Sequence, residues 1–122
     1  MSASVLIAGG IAVLLGIAHS YVGERRVVRT ILDRPDLPPL WGSTVLMRRT
    51  VRFAWHLTSV GWLGAGALLI LFAGRMDEPG ARLGVLVLGG IFLASAVVAF
   101  VGSRGRHPAW VICLAVTAAA WY

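Results

Sequence analysis

The chain has 122 residues, of which 58% are hydrophobic and only 13% are charged, and its net charge is +6. A soluble domain carries about 25% charged residues, so this composition leaves too little polar surface to cover a soluble globule. It excludes a secreted disulfide scaffold, a disordered chain and a soluble nucleotide-binding enzyme, and it indicates an integral membrane protein. All eleven basic residues are arginines that cluster between apolar runs, which favours the lipid bilayer over nucleic acid as the partner.

Four apolar segments predict four helices. They cover residues 3–22, 53–73, 83–102 and 109–122. The first three contain 20, 21 and 20 residues, and at about 1.5 Å per residue each spans a hydrocarbon core about 30 Å thick. The fourth contains 14 residues, so it needs a locally thinner bilayer or an earlier start, at Arg106. The first segment lacks a basic leader and has spanning length, which favours a helix over a signal peptide.

We therefore predict an all-α fold, a single four-helix up-and-down transmembrane bundle over residues 1–122. The predicted helices cover about residues 3–24, 44–73, 82–103 and 107–122, with a long connection at residues 25–52. Nine of the eleven arginines lie in the first and third connections, which share one side of such a bundle. The excess of positive charge predicts that this side is cytoplasmic and that both termini are outside, in a membrane such as the bacterial inner membrane.

The long connection contains its own structural signals. The stretch 33–39 contains three prolines, which must end the first helix. Ser43 is a predicted N-cap, and residues 44–52 are amphipathic and approach the second apolar segment. We interpret this connection as a surface hairpin that orients the helices and contacts anionic lipid, with a dedicated partner site as the alternative.

Small residues recur along the predicted helices. The first helix has Ser4, Ala8, Ala12, Gly16 and Ser20 at intervals of four residues. Such a stripe lets helix backbones approach closely in lipid, so it favours tight packing. The alternative is that it leaves room for a flat cofactor or a pore. Cys113 lies in an apolar run, and we interpret it as a packing group.

All three histidines are predicted to lie in one layer near the cytoplasmic side. His19 and His56 would be at similar depth, about 6 Å inside the boundary, and His107 would be shallower, near Glu24. Ionisable groups at membrane depth are costly, so they indicate a functional site. The competing interpretation is that each imidazole simply bonds a backbone carbonyl or a serine.

The first ligand hypothesis is a transition-metal ion such as Zn, Cu or Fe, because imidazole nitrogen suits these metals. The candidate ligands are His19, His56, His107 and Glu24, with Ser20 and Ser59 orienting an imidazole through its second nitrogen. His19 and Glu24 are five residues apart, about 140° on an ideal helix. They would therefore share an ion only if the helix bends or if Glu24 acts through another ligand.

The second ligand hypothesis is a b-type haem with His19 and His56 as axial ligands. Arginines at the membrane surface would pair with the haem propionates or with anionic lipid. These arginines are Arg25, Arg26, Arg52 and Arg106.

The predicted function is therefore metal or haem binding, with a redox-linked role. The alternatives are a small oligomeric transporter or channel, and a structural subunit of a larger membrane complex. No serine–histidine–carboxylate set is recognisable, because all five carboxylates lie outside the apolar segments. The sequence leaves open whether the protein is an enzyme.

Overall fold

The computed structural model describes all residues, Met1–Tyr122, and its regular structure is helical. The four helices are α1 (Ala3–Leu32), α2 (Thr44–Ala73), α3 (Pro79–Ser103) and α4 (Ala109–Trp121). The first three are long and apolar enough to cross a membrane, and α4 is shorter, with 13 residues. The predicted all-helical architecture is confirmed, and it is consistent with a membrane bundle.

Helix α1 is longer than predicted. It is α-helical to Gly23, passes through a π-helical turn at Glu24–Val28 and continues to Leu32. The first proline is at position 35, so no proline prevents the helix from extending beyond its apolar part. The non-helical part of the predicted connection therefore shrinks to residues 33–43.

The other helix ends follow local capping chemistry. Ser43 is the N-cap of α2, and its hydroxyl accepts the N–H of Leu46 at 3.1 Å, as predicted. Helix α3 begins at Pro79 rather than near residue 82, because the φ of proline is already set for the first helical turn. It ends at Ser103, and the next residue, Arg104, adopts the left-handed conformation with φ 52°.

The helices form a ring in which sequential neighbours are in contact. Helix α1 packs most extensively on α2, and α3 packs on α4. Contact between α1 and α4 closes the ring, and the α2–α3 contact is the smallest of the four. The N–H of Ser2 donates to the carbonyl of Ala73 at 2.8 Å, which places the start of α1 beside the end of α2. These two helices therefore run antiparallel.

The apolar core lies in the half of the bundle that contains the chain termini. Each helix contributes to its thirteen buried residues, and Phe92 at the centre is fully buried. The opposite end is formed by residues 24–52 and 104–107, and we call it the arginine-rich end. Polar side chains and cavities replace the continuous apolar core there.

Glycine allows α1 and α2 to make backbone contact. A Cβ atom on Gly66 would lie 2.8 Å from Cγ2 of Val13 and 2.9 Å from the carbonyl oxygen of Gly9. Ala8 and Ala12 of the predicted stripe are also buried. These small residues bring the two backbones close enough for short polar side chains to meet across the interface.

Candidate functional site

Two histidine–serine hydrogen bonds connect α1 and α2 near the arginine-rich end. Nδ1 of His19 lies 2.9 Å from Oγ of Ser59, and Oγ of Ser20 lies 2.6 Å from Nδ1 of His56. Each helix supplies one histidine and one serine, so the bonds are reciprocal. The four side chains occupy neighbouring turns, and Ser59 is buried.

Glu24 meets the histidine of α2 rather than the histidine of its own helix. Its Oε2 lies 3.2 Å from Nε2 of His56, and its Oε1 lies 3.1 Å from Nε of Arg52. Arg29 approaches the same carboxylate at 3.7 Å. The Glu24 side chain is only 19% exposed, so these partners replace most of its water. Because Ser20 precedes Glu24 by four residues, both face His56 from one side of α1.

The partners of His56 determine its proton positions. A carboxylate only accepts hydrogen bonds, so Nε2–H of His56 donates to Glu24. In the neutral ring Nδ1 is then the acceptor, and the hydroxyl of Ser20 donates to it. Both ring nitrogens of His56 are therefore engaged within the protein.

Two tryptophans surround His19. Its ring stacks on Trp55 with centroids 4.3 Å apart and planes 5° apart, and it meets Trp62 edge-on at 4.8 Å. The indole N–H of Trp55 donates to the His19 carbonyl at 2.9 Å, and only a glycine at position 23 leaves space for this indole. Neither tryptophan was assigned to the site from the sequence. The signal was present, since positions 55, 59 and 62 share one face of a helix.

A cavity of about 460 Å³ adjoins His19, and we call it the His19 cavity. His107, Arg26 and the two tryptophans line it with His19, and most of the other walls are apolar. The His19 ring makes its hydrogen bond through Nδ1. When Nδ1–H donates to Ser59, Nε2 carries the lone pair and is available to a ligand.

His107 lies in the same cavity as His19 but is exposed and does not contact Glu24. Its Nδ1 accepts the N–H of Ala109, the first residue of α4, at 3.2 Å. This bond places the proton of the neutral ring on Nε2. Arg106 is exposed beside His107 and does not line the His19 cavity.

A second cavity of about 520 Å³ adjoins His56 and Glu24, and we call it the Glu24 cavity. Its lining residues are Ile17, Ser20, Tyr21, Glu24, Arg25, Arg29, His56 and Leu63. The guanidinium of Arg25 lies 4.6 Å from the centre of the Tyr21 ring. His19 and His56 thus line different cavities, although they lie on neighbouring turns of two adjacent helices, α1 and α2.

The metal-ligand hypothesis has a specific geometric test. No three side chains among the histidines, the cysteine and the carboxylates converge closely enough to hold a metal ion. His56 is bonded at both ring nitrogens, and Cys113 lies buried in the apolar core. The structure brings His19, Ser59, Ser20, His56 and Glu24 together as a hydrogen-bonded cluster.

The non-helical connection has an ion pair of its own. Arg34 donates to both carboxylate oxygens of Asp36 at 2.9 and 2.7 Å. These hydrogen bonds hold the pKa of Asp36 below its ordinary value and raise that of Arg34. Both side chains are exposed and lie outside the two cavities.

Comparison with protein-family models, with curated proteins and with solved structures finds no match to this chain.

Proposed function

We propose that the protein is a four-span integral membrane protein that binds a b-type haem in the His19 cavity. The observation that carries this proposal is the environment of His19. Its Nδ1 bonds the hydroxyl of Ser59, and its side chain lines a cavity that His107 and Arg26 also line. A histidine that ligates iron usually has its second nitrogen held by a hydrogen bond, which sets both tautomer and ring orientation.

The chemistry of the cavity supports a macrocycle. Its apolar walls and the indoles of Trp55 and Trp62 suit the flat face of a porphyrin. Arg26 supplies a guanidinium that could pair with a propionate carboxylate. The haem iron would supply one-electron redox chemistry, while the protein supplies the axial nitrogen and the apolar surroundings.

The ligand assignment within this proposal follows the cavities. Because His19 and His56 line different cavities, we propose His19 as the axial ligand and not the predicted pair. His107 would become a second ligand only after losing its bond from Ala109. A bare metal ion would need more ligands from the protein than a haem iron does, since the porphyrin nitrogens fill four coordination positions of the iron.

The proposed membrane topology places the haem near the cytoplasmic surface. Helices α1, α2 and α3 have spanning length, and α4 would cross a locally thinned bilayer. The excess of arginines supports an arginine-rich end in the cytoplasm, both termini outside, and contact with anionic lipid. The bacterial inner membrane is the location that this proposal implies.

The test is an absorption spectrum with iron analysis of the purified protein, before and after incubation with haem. We expect a Soret band and about one iron per chain in the wild type. The variant His19→Ala should lose both, because it removes the axial nitrogen. The variant His56→Ala is the matched control and should retain them.

The other outcomes decide against the proposal. A wild-type protein that stays colourless after incubation with haem would contradict it. Stoichiometric metal without a Soret band would replace the haem with an ion. Equal haem binding by His19→Ala and the wild type would show that His19 is not the ligand.

A further inference from the structure

We propose that Ser20, His56 and Glu24 form a nucleophile, base and carboxylate set that cleaves an ester of an anionic membrane lipid. The inference is independent of haem binding, since these side chains line the Glu24 cavity and His56 does not line the His19 cavity. No such set was recognisable in the sequence, because Glu24 lies beyond the apolar segment. The continuation of α1 as a helix places it one turn after Ser20.

The hydrogen-bond order is that of an activated serine. The hydroxyl of Ser20 is 2.6 Å from Nδ1 of His56, and Nε2 of the same ring is 3.2 Å from Glu24. A nucleophile bonded to a base, with the base oriented by a third group, is the arrangement required for nucleophilic catalysis. Arg52 pairs mainly with the other carboxylate oxygen, which leaves Oε2 directed at the imidazole.

The second histidine–serine pair of the chain provides a comparison for Ser20 and His56. Ser59 and His19 make the same kind of bond at 2.9 Å, but the structure places no carboxylate on the second nitrogen of His19. Ser59 is also buried, whereas Ser20 lines an open cavity. If the reactivity of a serine requires a carboxylate on its imidazole partner and a cavity that admits the substrate, Ser20 should be reactive and Ser59 should not.

The Glu24 cavity has an apolar part and a positively charged part, which match the acyl chain and the anionic headgroup of a membrane lipid. Ile17 and Leu63 provide an apolar wall, and Arg25 and Arg29 provide positive charge further along α1. Five residues separate Ser20 from Arg25, about 7.5 Å along a helix. An acyl chain would therefore lie on the apolar wall while a phosphate group pairs with the guanidinium groups.

The reaction is an ordinary acyl transfer. Oγ of Ser20 attacks the ester carbonyl and its proton passes to Nδ1 of His56. The bond to the leaving alcohol breaks, and that alcohol takes the proton from His56. Water then attacks the acyl-serine, His56 accepts its proton and returns one to Oγ, and the fatty acid leaves. Each step balances without an oxidant or a reductant.

The first test uses an alkyl fluorophosphonate, which forms a bond from phosphorus to an activated serine oxygen and releases fluoride. We expect labelling of Ser20 in the purified protein, located by peptide mass spectrometry, with none on Ser59. Ser20→Ala should abolish labelling, and His56→Gln should slow it about 100-fold. Ser95→Ala on α3, whose hydroxyl bonds the carbonyl of Ile91, is the control and should react at the wild-type rate.

Glu24 acts through His56, so it is a positioning residue. Its test must therefore separate the effect of its charge from the effect of its shape. Glu24→Gln keeps the shape but removes the charge, and it should slow labelling about tenfold or more. Glu24→Asp keeps the charge and should recover part of the rate. A purely structural role would favour the glutamine variant instead.

The second test identifies the substrate class. Fatty-acid release from vesicles of phosphatidylglycerol should exceed release from phosphatidylcholine, and Ser20→Ala should remove it. Absence of Ser20 labelling in protein that retains its helical circular dichroism would overturn the proposal. Labelling that does not change in His56→Gln would overturn the assignment of His56 as the base. Labelling without fatty-acid release from either lipid would overturn the assignment of a lipid ester as the substrate. Haem content read from the same samples separates these outcomes from those of the proposed function.

Discussion

At the residue scale, the chemistry depends on how each imidazole is bonded. His19 and His56 have the same kind of serine partner at Nδ1. They differ at Nε2, because Glu24 engages that of His56 and a cavity adjoins His19. The two histidines, on adjacent helices, therefore differ in their chemistry. His19 is suited to binding a ligand, and His56 is suited to proton transfer.

Glu24 should also stabilise the fold, because its carboxylate joins α1 to His56 and Arg52 on α2. Glu24→Gln is expected to lower the free energy of unfolding by about 1–2 kcal/mol, the range for partly exposed bonds to a charged group. Unfolding in mixed detergent and dodecyl sulfate measures this change. Asp77→Asn, at an exposed residue in the turn at the other end, is the control and should have little effect. An equal effect of both substitutions would contradict the assigned contacts.

Asp36 should titrate below its ordinary range because Arg34 bonds its ionised form. A lowered folded-state pKa stabilises the turn at pH values above the ordinary carboxyl pKa. This contribution is lost as the pH falls through the lowered value. Carboxyl NMR titration should show the low pKa in the wild type and a return towards the ordinary value in Arg34→Ala. A titration that is identical in the two proteins would show that the pair does not form in solution.

At the element scale, the polar cluster depends on the close approach of α1 and α2. Gly9 and Gly66 bring the backbones together in one half of the interface, and the glycine at position 23 makes space for Trp55 in the other. The hydroxyl of serine is short, so it reaches an imidazole on the neighbouring helix only at such separations. The glycines therefore serve the site indirectly, through packing.

Gly66→Ala should separate the two helices, because its Cβ would meet the backbone of Gly9. We expect a loss of about 1–3 kcal/mol in unfolding free energy, the usual cost of overpacking. Gly64→Ala is a matched control in the same helix, since a Cβ there meets nothing within 4 Å. The same dodecyl sulfate titration compares them. The packing account is wrong if Gly64→Ala is the more damaging substitution.

Much of this element structure could be predicted from the sequence. Runs of apolar residues indicated the helices, and the serine at position 43 indicated the start of α2. The π-helical turn at Glu24–Val28 could not be predicted, because the helix signals are the same for both helix types. The partners of Ser20 and Ser59 also could not, since they depend on the rotation of two helices about their axes. Small-residue stripes constrain that rotation only to a broad face.

At the scale of the whole molecule, the exposed surface indicates a hydrocarbon solvent. Only 23 of 122 residues are buried. Large apolar side chains such as Leu14, Val98 and Val101 are more than two-thirds exposed along the helices. In water this surface would drive aggregation, whereas in lipid it carries no such penalty.

The proposed topology makes a prediction about access from each side of the membrane. Single cysteines would be placed at Asp77 and at Asp36 in a Cys113→Ala background. In intact cells with a permeable outer layer, a membrane-impermeant maleimide should label position 77 and not position 36. Lysed cells provide the control in which both react. The reverse pattern in intact cells would invert the proposed orientation.

The most direct test of the central claim is rescue of His19→Ala by free imidazole. The variant removes the proposed axial nitrogen and leaves a space that one imidazole can fill. We predict that His19→Ala binds haem weakly alone and regains the wild-type Soret spectrum as imidazole is added, with saturation. Ser59, the tryptophans and Arg26 remain unchanged in that variant, so the recovery would report the axial nitrogen alone. Full haem binding by His19→Ala without imidazole, or no Soret band at any imidazole concentration, would contradict the account.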